Sequence, residues 1–176
     1  LAATSLKLRL VAALGLLKEM RSLPRRLHFL QKQGHRVELL VFGDTDTEND
    51  ELSDAVSRCG GRMMGQMSHG DFLDILASTD VFVMNSRREP FGMSATEALA
   101  AGASLLVSRN CGVAGILALK EEDVVSDCED VGEVARKILH LASHPNFQRL
   151  YDALDFDELG WDAAAKRLYD ICREVV

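Results

Sequence analysis

The chain has 176 residues, 47% hydrophobic and 27% charged, with a formal net charge of −7 at pH 7. That length makes one ordinary domain, able to bury roughly two-thirds of its unfolded surface. The acidic balance argues against a general nucleic-acid binder, and no apolar run approaches the roughly 20 residues of a membrane-spanning helix.

Apolar runs alternate with helical patterns along the chain. A strand is expected over 8–14. Residues 8–17 imitate the apolar part of a signal segment but lack a small-residue cleavage pattern. A helix over 21–33, stopped by Gly34, leads to a second strand over 37–43, whose nearly unbroken apolar run suits a parallel sheet covered on both faces. Next come a helix over 48–59 and a strand over 61–65. Ser68-His-Gly-Asp71 has capping-box spacing before a helix over 70–79, with Phe72, Leu73 and Leu76 as its apolar face. A strand over 80–85 precedes an Ala- and Gly-rich helix over 92–102, stopped by Gly102. Strands over 104–108 and 123–125 and a helix over 130–143 follow, and His144-Pro145-Asn146 breaks the chain. The last helix, about 160–175, carries Trp161, Ala165, Leu168, Tyr169 and Cys172 along one stripe, with Trp161 and Tyr169 expected as core anchors. This alternation predicts a doubly wound α/β domain with a parallel sheet and right-handed crossovers.

Cys59, Cys111, Cys128 and Cys172 form no CxxC pair, so they read as thiols of a reducing compartment and point to the cytoplasm. The five histidines have no cysteine or paired carboxylate at ligand spacing, so no metal is expected. The chain begins at Leu1 rather than Met, which reads as a piece of something larger.

The most informative stretch is Glu89-Pro-Phe-Gly-Met-Ser-Ala-Thr-Glu97. A strand running into a glycine turn and a helix start presents free backbone N–H groups and a positive helix end, which suits a phosphate. Phe91, Gly92, Met93 and Ser94 are the candidate amides, and a Cβ at position 92 is expected to hold the anion away. Glu97 falls about 7 Å along the helix from Gly92, near one diphosphate-to-ribose separation. It can therefore accept from ribose hydroxyls, and Glu89 from hydroxyls of a second sugar. Spacing alone leaves a plainer reading open, because carboxylates near a helix start are favourable in themselves.

Glu89 to Glu97 resembles the E-x7-E motif of retaining, nucleotide-sugar-dependent glycosyltransferases of the GT-B, group 1 type. The segments LLVFGD at 39–44, ILASTDVFVMNSRREPFGMSATEALAAGASLLVS at 75–108 and WDAAAKRLYDI at 161–171 resemble that family in the same order. The resemblance covers roughly 8–176 and implies a Rossmann-like donor-binding domain, one half of a GT-B fold, with the N-terminal acceptor domain absent. It implies a nucleoside-diphosphate sugar as partner and substrate, a hydroxyl acceptor and no metal cofactor. Membrane contact is left to the missing domain. In site terms it implies that Glu97 holds the ribose, Glu89 engages the donor sugar, and the 91–94 amides cradle phosphate and sugar. The Gly65-Gln66-Met67-Ser68 backbone lies where the family meets the nucleobase.

The match departs from the family in two places. The usual Gly-Arg pair after the first strand is here Gly15-Leu16, and the Lys that follows falls on Arg21, with Lys18 as a nearby substitute. Either cation can stabilise a departing diphosphate. Asn110-Cys111-Gly112-Val113 resembles the next glycine loop, but Gly115 replaces a frequent Glu. The missing Arg motivates a competing expectation, a catalytically silent sugar-nucleotide-binding domain. A GT-B phosphorylase or epimerase half is a third. Arg87 and Arg88 read either as phosphate helpers or as loop charges.

Overall fold

The computed structural model describes residues 7–13, 31, 32, 34, 36–42, 50–58, 60–155, 157 and 160–174. Its strands are β1 (Lys7–Ala13), β2 (Arg36–Phe42), β3 (Arg62–Gly65), β4 (Val81–Met84), β5 (Ser104–Ser108) and β6 (Val124–Val125). They form one sheet in the order β3-β2-β1-β4-β5-β6, and every described pairing is parallel. The helices are α1 (Asp50–Arg58), α2 (His69–Leu76), α3 (Met93–Ala100), α4 (Val131–Ser143), α5 (Phe147–Asp152) and α6 (Trp161–Glu174).

Period-two alternation divides the core into two layers. Leu10, Leu39, Val41, Val83 and Leu106 face Val56 of α1 and Val134, Ile138 and Leu141 of α4. Val11, Leu40, Phe82, Met84 and Leu105 face Leu76 of α2, Ala95, Ala98 and Leu99 of α3, and Leu150 of α5. The small α3 residues bring that helix close to the sheet. It ends in a Schellman pair, Gly102 N–H on the Leu99 carbonyl (3.0 Å) and Ala103 N–H on the Ala98 carbonyl (2.9 Å), with Gly102 at φ 94°.

The strand order places the topological switch between β1 and β4: the chain winds from β1 toward β3, then returns to continue from β4 toward β6. The carboxyl ends of β1 and β4 therefore border the crevice where open α/β sheets bind ligands.

Most expected elements appear within a few residues of their predicted bounds, and three details differ. Leu73 is 36% exposed, while Phe72 packs edge-on against Phe42 at 5.1 Å. Past the break at 144–146 the chain forms α5, because the buried Asn146 side chain accepts from Leu105 N–H and donates to the Leu105 carbonyl (2.9 Å each), seating Leu150 in the core. The expected core anchors Trp161 and Tyr169 are 92% and 62% exposed, and no residue of α6 is buried. The stripe is real, but no described element covers it. Most of the helix expected over 21–33, with His28, lies outside the described residues, as does Cys59.

Candidate functional site

The loop 85–92 leaves β4 at the switch point, and its first polar residues are buried. Asn85 donates from Nδ2 to the Cys128 carbonyl (2.9 Å), whereas its Oδ1 and the Ser86 hydroxyl have no hydrogen-bond partner. Buried polar atoms are nearly always paired. Two orphans at this strand end are therefore notable.

Further along, the loop is latched to the turn after β5. Glu89 N–H donates to the Asn110 carbonyl (3.2 Å), Gly112 N–H to the Glu89 carbonyl (2.9 Å) and Val113 N–H to the Phe91 carbonyl (2.6 Å). Gly112 permits this approach, since a Cβ there would overlap the Pro90 carbonyl oxygen. Gly92 has φ 97°, and a Cβ on it would meet Met84 Sδ and Cys111 Sγ at 2.8 Å each. The glycine is thus required by the left-handed turn and by the sulfur atoms on its inner side. This corrects the expectation that its Cβ would face an anion. Burial pushes the Cys111 thiol up, the Val113 N–H opposes and the Glu89 charge adds to the rise, so Cys111 serves as neutral packing.

Gly92 is also the N-cap of α3, and no side chain caps this helix. The contrast with its neighbours is informative. Ser68 Oγ accepts from Asp71 N–H at the start of α2 (3.1 Å), and Asp130 Oδ1 from Glu133 N–H at the start of α4 (2.9 Å). At α3 the Ala95 N–H turns back to the Gly92 carbonyl (2.9 Å) and no side chain caps the donors ahead of it, so the positive helix end stays open to an anion. Phe91 and Met93 are exposed, Gly92 is buried and Ser94 is half-buried.

Glu97 lies one turn into α3 and is half-buried. Its Oε1 is 3.7 Å from Nε2 of the exposed His69 at the start of α2. The expected base-contacting backbone of Gln66 and Met67 is three and two residues before His69, so two regions 28 residues apart in sequence meet here. Glu89 is half-buried and borders a hollow of about 770 Å³ also lined by Arg88, Arg109 and Asn110. Arg87 pairs with Glu129 instead. The structure therefore gathers Glu89, Phe91, Gly92, Met93, Ser94, Glu97, Gln66 and Met67 along the carboxyl edge of the sheet. The basic candidates Arg21 and Lys18, with Gly15 and Leu16, lie outside the described residues.

Sequence reasoning missed the approach of His69 to Glu97 and the orphaned atoms of Asn85 and Ser86. A polar Asn-Ser pair closing an apolar strand was the available signal for the latter. Nothing in the sequence forecasts the contact between α2 and α3. Among the described residues, no group of three or more His, Cys, Asp or Glu side chains is arranged to hold a metal, and no helix is long and apolar enough to cross a membrane.

The fold and the uncapped helix at its switch point define an α/β domain suited to a phosphorylated ligand. The profile of the family "glycosyl transferases group 1" matches residues 9–153, and the chain belongs to that family. It is 31% identical over 128 residues to mannosylfructose-phosphate synthase of Agrobacterium fabrum, a match covering 68% of this chain and 28% of that protein. Among solved structures it resembles sucrose-phosphate synthase from Thermosynechococcus elongatus, with a TM-score of 0.65 and 20% identity over 95% of this chain and 45% of that one. It also resembles Anabaena HepE in complex with UDP and glucose, with a TM-score of 0.68 and 16% identity over 94% of this chain and 48% of that one. The chain thus spans less than half the length of these relatives, and its sheet is one Rossmann-like half of a GT-B fold.

Proposed function

We propose that this chain is the donor-binding half of a retaining glycosyltransferase that moves a sugar from a nucleoside-diphosphate sugar to a hydroxyl acceptor. The observation that carries the reading is the approach of His69, which directly follows the 66–68 turn, to Glu97 beside the start of α3, which no side chain caps. A nucleoside diphosphate needs a surface for its base, an acceptor for its ribose and donors for its phosphates, in that order. The relatives named above lend support, one of them being bound to UDP and glucose.

In this reading the backbone of Gln66 and Met67 meets the base and Glu97 accepts from the ribose. Amides of Phe91, Gly92, Met93 and Ser94 hold the diphosphate and the edge of the sugar, while Glu89 accepts from a hydroxyl of the transferred sugar. Arg21, with Lys18 beside it, offsets the charge that builds on the diphosphate as its bond to the anomeric carbon breaks. The acceptor oxygen bonds that carbon on the same face. The cations and the helix end do this work without a metal. The free thiols Cys111 and Cys172 suit a cytoplasmic setting.

The test is calorimetric titration of the chain with UDP, GDP, ADP and their sugars. One nucleotide should bind, and Glu97→Ala should weaken it at least tenfold without unfolding the chain. Binding by none of them, or indifference to Glu97→Ala, overturns the reading. Because acceptor contacts lie mainly in the other half, the chain alone should turn over little or nothing. Leu16, where the family carries Arg, favours a second reading, a silent sugar-nucleotide-binding domain. Activity in the full-length protein, strengthened by Leu16→Arg, would exclude that alternative.

A further inference from the structure

We infer that His69 and Glu97 together read a single ribose hydroxyl, making His69 a binding and specificity residue of the donor site. The inference rests on the nucleotide reading above and adds a residue to it.

The geometry begins with two helices whose positions are fixed by packing. Phe72 and Leu76 of α2 pack in the same core layer as Ala95, Ala98 and Leu99 of α3, so the start of α2 and the middle of α3 are held at a set separation. Across that gap, His69 Nε2 and Glu97 Oε1 lie 3.7 Å apart. This is longer than the 2.7–3.2 Å of an N–H···O hydrogen bond, so the two groups face each other without closing on each other. The nearest acidic group on the histidine's own helix is engaged elsewhere: Asp71 Oδ2 accepts from the Ser68 hydroxyl at 2.7 Å.

A hydroxyl oxygen about 2.8 Å from each atom completes a triangle over a 3.7 Å base. Its O–H donates to the carboxylate while one of its lone pairs accepts from the imidazole N–H. The chain supplies one acceptor and one donor, and an alcohol supplies the complement of both. A phosphate oxygen would meet the carboxylate with like charge, and an apolar group would leave both unpaired. Exposure agrees, since the imidazole side chain is 65% exposed and the carboxylate 24%: both remain open on the ligand side. The expected base-contacting backbone is the turn that leads into His69, so the sugar joined to that base arrives at this point.

A site that hydrogen-bonds a hydroxyl discriminates against the analogue lacking it, because the pairing groups are left unmet. Partial exposure moderates the effect, and the expected preference for ribose is about tenfold. The experiment titrates the full chain with UDP, GDP and ADP, each beside its 2′-deoxy and 3′-deoxy analogues. At least one deoxy analogue should bind about tenfold more weakly than its parent. His69→Ala should cut that ratio to about twofold while leaving affinity for the deoxy analogue nearly unchanged. His69→Gln, which retains an N–H donor, should restore part of the ratio, and melting temperatures confirm that the variants are folded. A His69→Ala variant that weakens parent and analogue equally, or leaves both as they were, overturns the assignment even where Glu97→Ala abolishes binding. Failure of all three nucleotides to bind, or indifference to Glu97→Ala, instead removes the nucleotide reading and this assignment with it.

Discussion

The two edges of the sheet treat their polar groups in opposite ways. At the amino edge, Glu38 takes Arg9 Nε at 2.8 Å and Arg62 Nη2 at 2.7 Å, Asp80 takes the Arg9 N–H at 2.6 Å, and buried Asp123 takes Asn146 Nδ2 at 2.7 Å together with Arg149. At the carboxyl edge, no side chain caps α3 and Glu97 stops short of the exposed His69, while the unpartnered Asn85 Oδ1 and Ser86 Oγ atoms are buried beneath the loop, out of a ligand's reach. One edge is satisfied by its own side chains and serves the fold. The other holds unmet donors and acceptors on a packed frame, as a site for an outside ligand requires.

The largest effect should come from forcing the frame itself. Gly112→Ala drives a methyl into the Pro90 carbonyl and should cost about 3 kcal/mol, read as a fall in the denaturant midpoint. Gly92→Ala, strained by its positive φ and the two sulfurs, should cost a little less, about 2 kcal/mol. A stability unchanged by both would mean that the latched loops are not a packed unit.

Glu133 provides a pH test close to the carboxyl edge. Burial alone would raise its carboxyl. The Lys137 ammonium and the Asp127 and Ser126 N–H groups outweigh that and hold it at about 2, against 4.5 for an ordinary glutamate. A depressed folded-state value gives stability that is complete above about 4.5 and lost as pH falls toward 2. The wild type should lose about 3 kcal/mol across that window through this group, and Glu133→Gln should flatten that part of the curve. An unchanged slope in the variant would remove Glu133 from the account.

Glu97→Ala separates binding from stability: it should reduce nucleotide affinity about 10- to 100-fold, the equivalent of one charge-assisted hydrogen bond or slightly more, while shifting the melting temperature little. The smallest effect belongs to the amino edge. Arg62, a 62% exposed partner of Glu38, should change stability by less than about 0.5 kcal/mol when replaced by Ala, and nucleotide binding not at all.

The sheet was legible in the sequence because its strands are short apolar runs between helical patterns, and hydrophobic period carries that information directly. The 89–97 stretch was legible because a strand, a glycine and a helix start follow one another without interruption. The His69–Glu97 pair was hidden, since it depends on how two helices pack on one face of the sheet. The reason for Gly92 was misjudged for a related cause: sequence shows that a Cβ is missing, but only the packed loop shows which neighbours exclude it. Trp161 and Tyr169 were misplaced because an amphipathic stripe announces an apolar face without saying whether this chain contains its cover.

The most direct test of the contrast between the edges is an amide NMR titration of the labelled chain with UDP, GDP or ADP, whichever binds. The largest shifts should fall on residues 66–69, 91–94 and 97, with Arg9, Glu38, Arg62 and Asp80 unmoved. Shifts centred on those four residues, with the start of α3 silent, would contradict the account.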